Sequence, residues 1–251
     1  MKLTLLVGDS IFSYCLVYPI IKSFRQQIDC ILLSQHIRSS PRRILTIFKK
    51  SSFHYFFYRS VIHAYSIFTK KTVESLAKKS GIKTISIFNC QEIKKVIADA
   101  ELGIAINFDL ILNTKCLQKF PKGVLNLHAS KLPSDRGISP AYWAFARGDR
   151  ENWSTIYQMD DGLDSGPIYK QWSMPIQRDD TAFTMYKRLC RDGGNQLVQL
   201  IKEIELGIAL PPRPQPSIEN ATSHSWPNRS QYALMVRNRR CYLRTRDLLR
   251  P

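Results

Sequence analysis

Residues 101–130 read ELGIAINFDLILNTKCLQKFPKGVLNLHAS, in which two short apolar runs, at 101–108 and 123–130, flank a more polar segment. Similar runs occur at 3–8, 28–34 and 81–88, and the segment 12–24 has helical spacing. Apolar runs of about four to eight residues that alternate with helical stretches are typical of a parallel sheet covered on both faces. The sequence therefore predicts an α/β fold with a mostly parallel sheet and helices on both faces.

The domain organisation follows from length and from one proline-rich segment. The chain has 251 residues and 44% hydrophobic content, enough for one substantial core. The run PPRPQP at 211–216 cannot continue a helix and marks a boundary. We expect a main domain over residues 1–210. The short basic extension 211–251 is expected to dock on it, because about forty residues rarely form a core alone.

The positive charge is concentrated in two segments. The formal net charge is +17, and the segment 38–71 carries eight basic residues with no acidic residue between Asp29 and Glu74. The segment 229–250 adds seven arginines against Asp247 alone. Such a field attracts a polyanion, whether a nucleotide diphosphate, a glutamylated cofactor tail, nucleic acid or an anionic membrane face. A solvated basic surface without a dedicated partner explains the charge equally well.

Cysteine usage and hydropathy bear on compartment and metal binding. The six cysteines are scattered, without a CxxC pair or a Cys/His cluster of metal-ligand spacing. No uncharged apolar stretch approaches the ~18 residues of a spanning helix. We expect a cytoplasmic protein with reduced thiols, no transmembrane segment and no metal.

One helical segment has an ambiguous apolar stripe. Within 44–68, apolar residues recur at spacings of four, four, four and three, namely at Phe53, Phe57, Val61, Tyr65 and Phe68. Such a stripe usually packs on a sheet, and this is the expectation here. Contact with a membrane surface or a partner helix is the alternative.

Three polar residues are candidates for catalysis. Asn126 and His128 are two residues apart at the end of a predicted strand, so their side chains point the same way. Asp164 lies in the loop DDGLDSGP, whose glycines allow a tight turn after a second strand-like run at 154–159. An Asn, a His and an Asp together suit the stabilisation of an oxyanion and the transfer of one proton, as in acyl or formyl transfer to an amine. Taken alone, each residue is more often structural than catalytic.

The combination of motifs resembles a known family. NLHASKLPSDRG, WAFARG and STIYQMDDGLDSGPI, in this order, are similar to the folate-dependent formyltransferases, which act on glycinamide ribonucleotide, methionyl-tRNA or nucleotide sugars. The resemblance covers about residues 102–207 and implies a Rossmann-like fold. It implies that Asn126, His128 and Asp164 form the catalytic triad. It also implies 10-formyltetrahydrofolate as co-substrate, held at positions Phe108, Leu110, Leu112, Asp160 and Gly162.

The identity of the acceptor depends on features outside the shared motifs. The loop GDSIFSY lacks a glycine-rich phosphate cradle, which disfavours glycinamide ribonucleotide. Methionyl-tRNA formyltransferases carry a C-terminal barrel for tRNA, and the residues after the prolines are too few to form one. A small anionic amine, with a nucleotide-linked amino sugar as the best candidate, is therefore expected. Methionyl-tRNA and hydrolysis by water are the alternatives, and a non-catalytic nucleic-acid or membrane-surface binding protein is the alternative of another class. The sequence predicts no oligomeric state.

Overall fold

The computed structural model describes residues 1–35, 40–97, 99–216 and 221–249. Arg38 and Arg250, which belong to the two predicted basic segments, and residues 217–220 lie outside this part. The strands are β1 (Leu3–Gly8), β2 (Ile28–Ser34), β3 (Thr84–Ile87), β4 (Leu102–Ile106), β5 (Val124–His128), β6 (Arg136–Gly137), β7 (Glu151–Gln158), β8 (Ile168–Pro175) and β9 (Ser223–His224). The helices are α1 (Ile11–Phe24), α2 (Pro41–Lys50), α3 (Phe53–Phe68), α4 (Val73–Ser80), α5 (Cys90–Val96), α6 (Thr114–Leu117), α7 (Pro140–Arg147), α8 (Ala182–Glu205), α9 (Arg229–Arg237) and α10 (Thr245–Leu249).

The main sheet has the strand order β3-β2-β1-β4-β5-β7-β8. The first five strands in this order are parallel, whereas β7 runs antiparallel to both of its neighbours. The predicted α/β class is therefore confirmed. The strand order reverses direction at β1, which has β2 on one side and β4 on the other. In open α/β sheets such a reversal opens a crevice at the carboxyl ends of the strands, where ligands bind.

Both faces of the sheet are covered, because strand residues alternate in direction. On β1, Leu5 and Val7 join a core formed with α1, α3, α4, α7 and α8, while Leu6 joins a second core with α5 and α6. On β4, Ile104 faces the first core and Ala105 the second. A strand buried on both sides reads as a continuous apolar run, which is why the central strands were predictable.

The predicted strand at 81–88 begins three residues late. Gly81 has φ +65° and is the C-cap of α4, with its N–H bonded to the carbonyls of Ala77 and Lys78. A left-handed glycine is a common helix terminator. The pairing with β2 therefore begins at Thr84.

The prediction that the aromatic stripe of 53–68 packs on the sheet is wrong. Phe53, Phe57 and Phe68 are 65%, 60% and 88% exposed. The buried residues of α3 lie on the opposite face and are Tyr55, Tyr58, Ile62 and Ser66. Because α3 is apolar on two opposite faces, spacing alone did not show which face is buried.

The C-terminal residues contact the rest of the molecule at several points. Strand β9 pairs in parallel with β6, and Met235 of α9 is fully buried. The carboxylate of Asp247 accepts a hydrogen bond from the Thr181 hydroxyl at 2.8 Å. These contacts place β9 beside the loop that follows β5, and thus beside the candidate site.

Candidate active site

A cavity of about 890 Å³ opens at the carboxyl ends of β1, β4 and β5. Gly8 and Asn107 line it where β1 and β4 end, and Asn126 and His128 line it from β5. The cavity therefore occupies the crevice that the reversal of strand order creates. All three predicted triad residues and all five predicted folate-contacting positions line this one cavity.

Asn126 and His128 are presented by β5, whose pairing with β7 fixes their neighbours. Asn126 is the cross-strand partner of Tyr157, and His128 is that of Thr155. The Asn126 side-chain nitrogen lies 4.0 Å from the sulfur of Met159, a weak contact that leaves the amide available to a ligand.

His128 is buried, and its two ring nitrogens have different environments. Its Nε2 lies 2.9 Å from the carbonyl oxygen of Asp135. Because a carbonyl only accepts hydrogen bonds, Nε2 carries a hydrogen and donates it. Its Nδ1 lies 3.7 Å from Oδ2 of Asp164, so a proton on Nδ1 would make an ion pair with this carboxylate.

Asp164 is held by two donated hydrogen bonds. The Gly137 N–H reaches its Oδ2 at 2.7 Å, and the Tyr157 hydroxyl reaches its Oδ1 at 2.8 Å. Burial, followed by the charge of Asp164, raises the pKa of Tyr157 well above its usual value, so this phenol remains a donor. The two hydrogen bonds fix the orientation of the Asp164 carboxylate.

The loop that carries Asp164 returns tightly to β7. Asp164 itself adopts φ +50°, an uncommon conformation for a residue other than glycine. A Cβ at position 166 would overlap the carbonyl oxygen of Gln158. Gly166 is therefore required for the loop to bring Asp164 opposite His128.

An ion pair between the buried Asp135 carboxylate and the partly exposed Arg147 anchors the carbonyl that binds His128. Both side-chain oxygens of Asp135 accept hydrogen bonds from Arg147, at 2.9 and 2.8 Å, and His224 Nε2 lies 2.7 Å from Oδ1. Burial alone would raise the pKa of Asp135, but Arg147 and then His224 outweigh it and lower this pKa. This network was not predicted from the sequence, because Asp135, Arg147 and His224 come from three segments that only the fold brings together.

The predicted folate positions form one side of the cavity. Phe108, Leu110 and Leu112 follow β4, and the latter two are buried. Across from them, the Asp160 carboxylate accepts hydrogen bonds from the Gly162 N–H and the Ser165 hydroxyl. This part of the cavity therefore combines apolar side chains with a turn that is stabilised by hydrogen bonds. Such a combination is typical of a small-molecule site.

Arg59 of α3 also lines the cavity and was not predicted. Tyr55, Tyr58 and Tyr186 line the same cavity and interact with its charge. Arg59 has no carboxylate partner among the residues that the structure describes. One feature of the sequence could have indicated Arg59. It is the single Lys, Arg, Asp or Glu between Lys50 and Lys70.

The described ranges contain neither a candidate membrane-spanning helix nor a candidate metal-binding cluster. Among these residues no helix has the length and apolar character needed to cross a membrane. Within the same part of the chain, no group of three or more His, Cys, Asp or Glu residues is arranged to hold a metal ion.

An open α/β sheet with convergent polar groups in a cavity at its switch point defines a Rossmann-like small-molecule site. The family model described as formyl transferase matches residues 67–201, just over half of the sequence. The chain belongs to the formyl transferase family.

Sequence relatives match part of the chain. It is 43% identical over 103 residues to the methionyl-tRNA formyltransferase of Anaeromyxobacter sp. (strain K), covering 41% of this chain and 33% of that protein. It is 34% identical over 154 residues to the methionyl-tRNA formyltransferase of Halothermothrix orenii, covering 60% and 48%. The chain thus spans a third to a half of the length of these curated relatives.

Solved structures share the fold over most of the chain. The sugar 3N-formyl transferase WlaRD, determined in the presence of dTDP and 5-N-formyl-THF, has a TM-score of 0.62 at 19% identity, covering 90% of this chain and 69% of that one. The N-formyltransferase of Helicobacter canadensis, in complex with folinic acid and dTDP-3-aminofucose, has a TM-score of 0.61 at 18% identity, covering 92% and 72%. The phosphoribosylglycinamide formyltransferase of Anaplasma phagocytophilum has a TM-score of 0.59 at 20% identity, covering 82% and 88%.

Proposed function

We propose that this chain transfers a formyl group from 10-formyltetrahydrofolate to a primary amine of a small anionic acceptor, of which a nucleotide-linked amino sugar is the best candidate. The observation that carries the proposal is the convergence of Asn126, His128 and Asp164 in one cavity at the carboxyl ends of the strands. Membership of the formyl transferase family supports the reaction class. The folate and nucleotide ligands of two structural neighbours support the substrates.

Asn126 and His128 stabilise the charge that develops in the reaction. The acceptor nitrogen attacks the formyl carbon, and the formyl oxygen becomes an oxyanion. The Asn126 amide donates one hydrogen bond to this oxygen. Because Nε2 of His128 is bonded to the Asp135 carbonyl, its Nδ1–H is the second donor. One such donor is typically worth about 2.7 to 4 kcal/mol of transition-state stabilisation.

Asp164 and His128 manage the proton. The attacking nitrogen loses a proton, and N10 of the folate gains one as its bond to the formyl carbon breaks. Asp164 Oδ2 lies 3.7 Å from His128 Nδ1, so the two residues face each other in the cavity. Tyr157 and the Gly137 N–H keep the carboxylate in this position. The two residues therefore carry the proton between the two nitrogens.

The folate occupies the side of the cavity lined by Phe108, Leu110, Leu112 and the turn at 160–162. A pterin presents a fixed edge of donors and acceptors between two flat apolar faces. The buried leucines suit the faces, and main-chain groups of the two segments suit the edge.

Arg59 supports an anionic acceptor. It lies in the same cavity as His128 and carries a permanent charge with no carboxylate partner within the described ranges. A phosphate or carboxylate of the acceptor supplies the missing countercharge. The tyrosines of the same cavity add hydroxyl groups and aromatic surface for the rest of the acceptor.

Methionyl-tRNA is the second candidate acceptor. Its support is the 43% identity over 103 residues to the Anaeromyxobacter methionyl-tRNA formyltransferase. The basic residues at 229–246 suit contact with a phosphate backbone.

The proposal is tested by following the ultraviolet change as 10-formyltetrahydrofolate becomes tetrahydrofolate. The purified chain is incubated with the donor alone and with amino-sugar nucleotides, other phosphorylated amines or methionyl-tRNA. We expect release that depends on an amino-sugar nucleotide. Dependence on methionyl-tRNA would shift the assignment to the second candidate, release without acceptor would indicate a hydrolase, and no release with any acceptor would contradict formyl transfer.

A further inference from the structure

Helix α3 has an apolar face that nothing in the described structure covers. Phe53, Phe57, Ile67 and Phe68 project from it, opposite the buried face that carries Tyr58 and Ile62. In an α-helix, positions 53, 57, 60, 64, 67 and 68 share one side. The two remaining positions on this side are Ser60 and Ala64, so this outer face carries no charge over about four turns.

Helix α2 extends this surface. Leu45 and Phe48 are exposed, and the ring of Phe48 contacts that of Phe56 on α3 at a centroid distance of 5.1 Å. The α2–α3 apolar surface is defined here as six side chains that are 43% to 88% exposed: Leu45, Phe48, Phe53, Phe57, Ile67 and Phe68. A monomeric soluble protein rarely leaves so many large apolar groups together in water.

The segment that forms this surface carries only positive formal charges. On α2, Arg42, Lys49 and Lys50 are exposed on the side away from Phe48, which makes the helix amphipathic. Lys70 and Lys71 follow Phe68 directly. The sequence has no acidic residue between Asp29 and Glu74, so this whole segment is free of negative side chains.

The exposed apolar side chains and the nearby cations together favour one kind of binding partner. A second copy of the chain, packed through this surface on a two-fold axis, would bring together two segments that each carry cations and no acidic residue, which is unfavourable. Nucleic acid would neutralise the lysines but leave the phenyl rings unburied. An anionic bilayer accepts both features, since aromatic and aliphatic side chains enter the headgroup boundary while lysines remain at the lipid phosphates.

We propose that the α2–α3 apolar surface docks the protein peripherally on an anionic lipid bilayer, with Arg42, Lys49, Lys50, Lys70 and Lys71 at the headgroups. Thr46 and Ile47 of the same helix α2 line the cavity. The docking surface and the cavity therefore share helix α2. The proposal does not depend on which acceptor the cavity takes.

The test is cosedimentation of the full chain with vesicles. Vesicles of phosphatidylcholine alone are compared with vesicles containing an equal part of phosphatidylglycerol. The double variant Phe53→Ser/Phe57→Ser removes two exposed rings. The variant Lys49→Gln/Lys50→Gln removes two charges. The matched control Leu206→Ser/Ile208→Ser removes two equally exposed apolar residues from a surface next to Glu203 and Glu205.

We expect binding to the anionic vesicles only, weakened roughly tenfold or more by the phenylalanine variant and severalfold by the lysine variant, with the control unchanged. Circular dichroism shows whether each variant is folded. Absence of vesicle binding by the wild-type chain would overturn the proposal. So would vesicle binding that survives Phe53→Ser/Phe57→Ser, or self-association in solution that this variant abolishes.

Discussion

His128 is oriented by a residue that does not itself enter the proposed chemistry. The Asp135 carbonyl accepts the Nε2–H of His128, and the Asp135 side chain is fixed by Arg147 and His224. We class Asp135 as a positioning residue. Its side chain also accounts for the parallel pairing of β6 with β9, because His224 belongs to β9.

Replacing Asp135 with Asn should destabilise the fold by about 2 kcal/mol at neutral pH. Breaking a buried ion pair typically costs about 3 to 5 kcal/mol, and we discount this because Arg147 is partly exposed. The folded-state pKa of Asp135 is lowered, so its contribution is complete above the unfolded pKa of about 4 and is lost as the pH falls through the folded value. The difference in the free energy of unfolding should therefore shrink below about pH 4.

Urea unfolding of both proteins at neutral and acid pH measures this difference. The control is Asp149→Asn, because Asp149 also pairs with Arg147 but is much more exposed. It should change stability by less than about 0.5 kcal/mol. Equal effects of the two substitutions, or an Asp135→Asn effect independent of pH, would contradict the network described here.

Replacing Arg59 with Gln should impair acceptor use selectively. A hydrogen bond to a charged group is worth about 1.5 to 3 kcal/mol, so the KM for an anionic acceptor should rise roughly 10- to 100-fold. The KM for 10-formyltetrahydrofolate should stay the same, because Arg59 is not one of the proposed folate positions. Steady-state kinetics separates the two constants. Lys22→Gln, an exposed charge change on α1 outside the cavity, is the control. An unchanged acceptor KM would remove Arg59 from acceptor recognition.

The sequence revealed those site residues that lie close together in the chain. Asn126 and His128 share a strand, and the glycines around Asp164 indicate a tight loop, so local spacing predicted their neighbourhood. Arg59 and Asp135 depend on contacts across the fold. Asp135 meets His224 only because β9 returns to β6. No local pattern encodes such a contact.

Helices α1 and α8 pack closely through Gly194. A Cβ at this position would lie 2.6 Å from Cγ of Pro19 and overlap the backbone carbonyl of Leu16. Ala is favoured over Gly in a helix by about 1 kcal/mol, but the obstruction here is backbone, which moves only with the helix. Gly194→Ala should therefore destabilise the protein, by about 2 kcal/mol.

Thermal and urea unfolding measure the effect of Gly194→Ala. The neighbouring substitution Asn195→Ala is the control, because Asn195 is exposed and Ala has the higher helix propensity. It should be neutral or slightly stabilising. A gain in stability for Gly194→Ala would show that the two helices are not in close contact.

Elements buried on both sides were easier to predict than those at an edge. Strands β1, β2, β4 and β5 appear as apolar runs, whereas β8 reads IYKQWSMP and was not predicted. It lies at the edge of the sheet with mixed burial, so its polar residues hide the strand pattern. The buried face of helix α3 was predicted wrongly for the opposite reason, because both of its faces are apolar.

At the scale of the whole molecule, the C-terminal residues share a core with the main domain. The ring of Tyr242 stacks on Tyr58 of α3 at 4.9 Å and on Tyr142 of α7 at 5.6 Å. Trp226 contacts Tyr55 at 6.1 Å. Met235, fully buried, joins the same core. The extension therefore holds α3 and α7 against each other beside the cavity.

Met235→Ala should cost about 2 to 4 kcal/mol of stability, because truncation of a buried methionine leaves a cavity. Its neighbour Val236 is 51% exposed, and Val236→Ala should change stability by less than about 0.5 kcal/mol. Chemical unfolding followed by tyrosine and tryptophan fluorescence compares the two. Equal, small effects would mean that the extension is not part of the core in solution.

Formyl transfer by this chain can be followed with an isotopic label placed in the formyl carbon of 10-formyltetrahydrofolate. The chain is incubated with the labelled donor and amino-sugar nucleotides, and mass spectrometry locates the label. We expect the label on the acceptor amine. His128→Ala should slow this transfer by roughly 100-fold or more, whereas His54→Ala, outside the cavity, should leave it unchanged. Label that never reaches an amine, or transfer by His128→Ala at the wild-type rate, would show that the chain is not a formyltransferase that acts through His128.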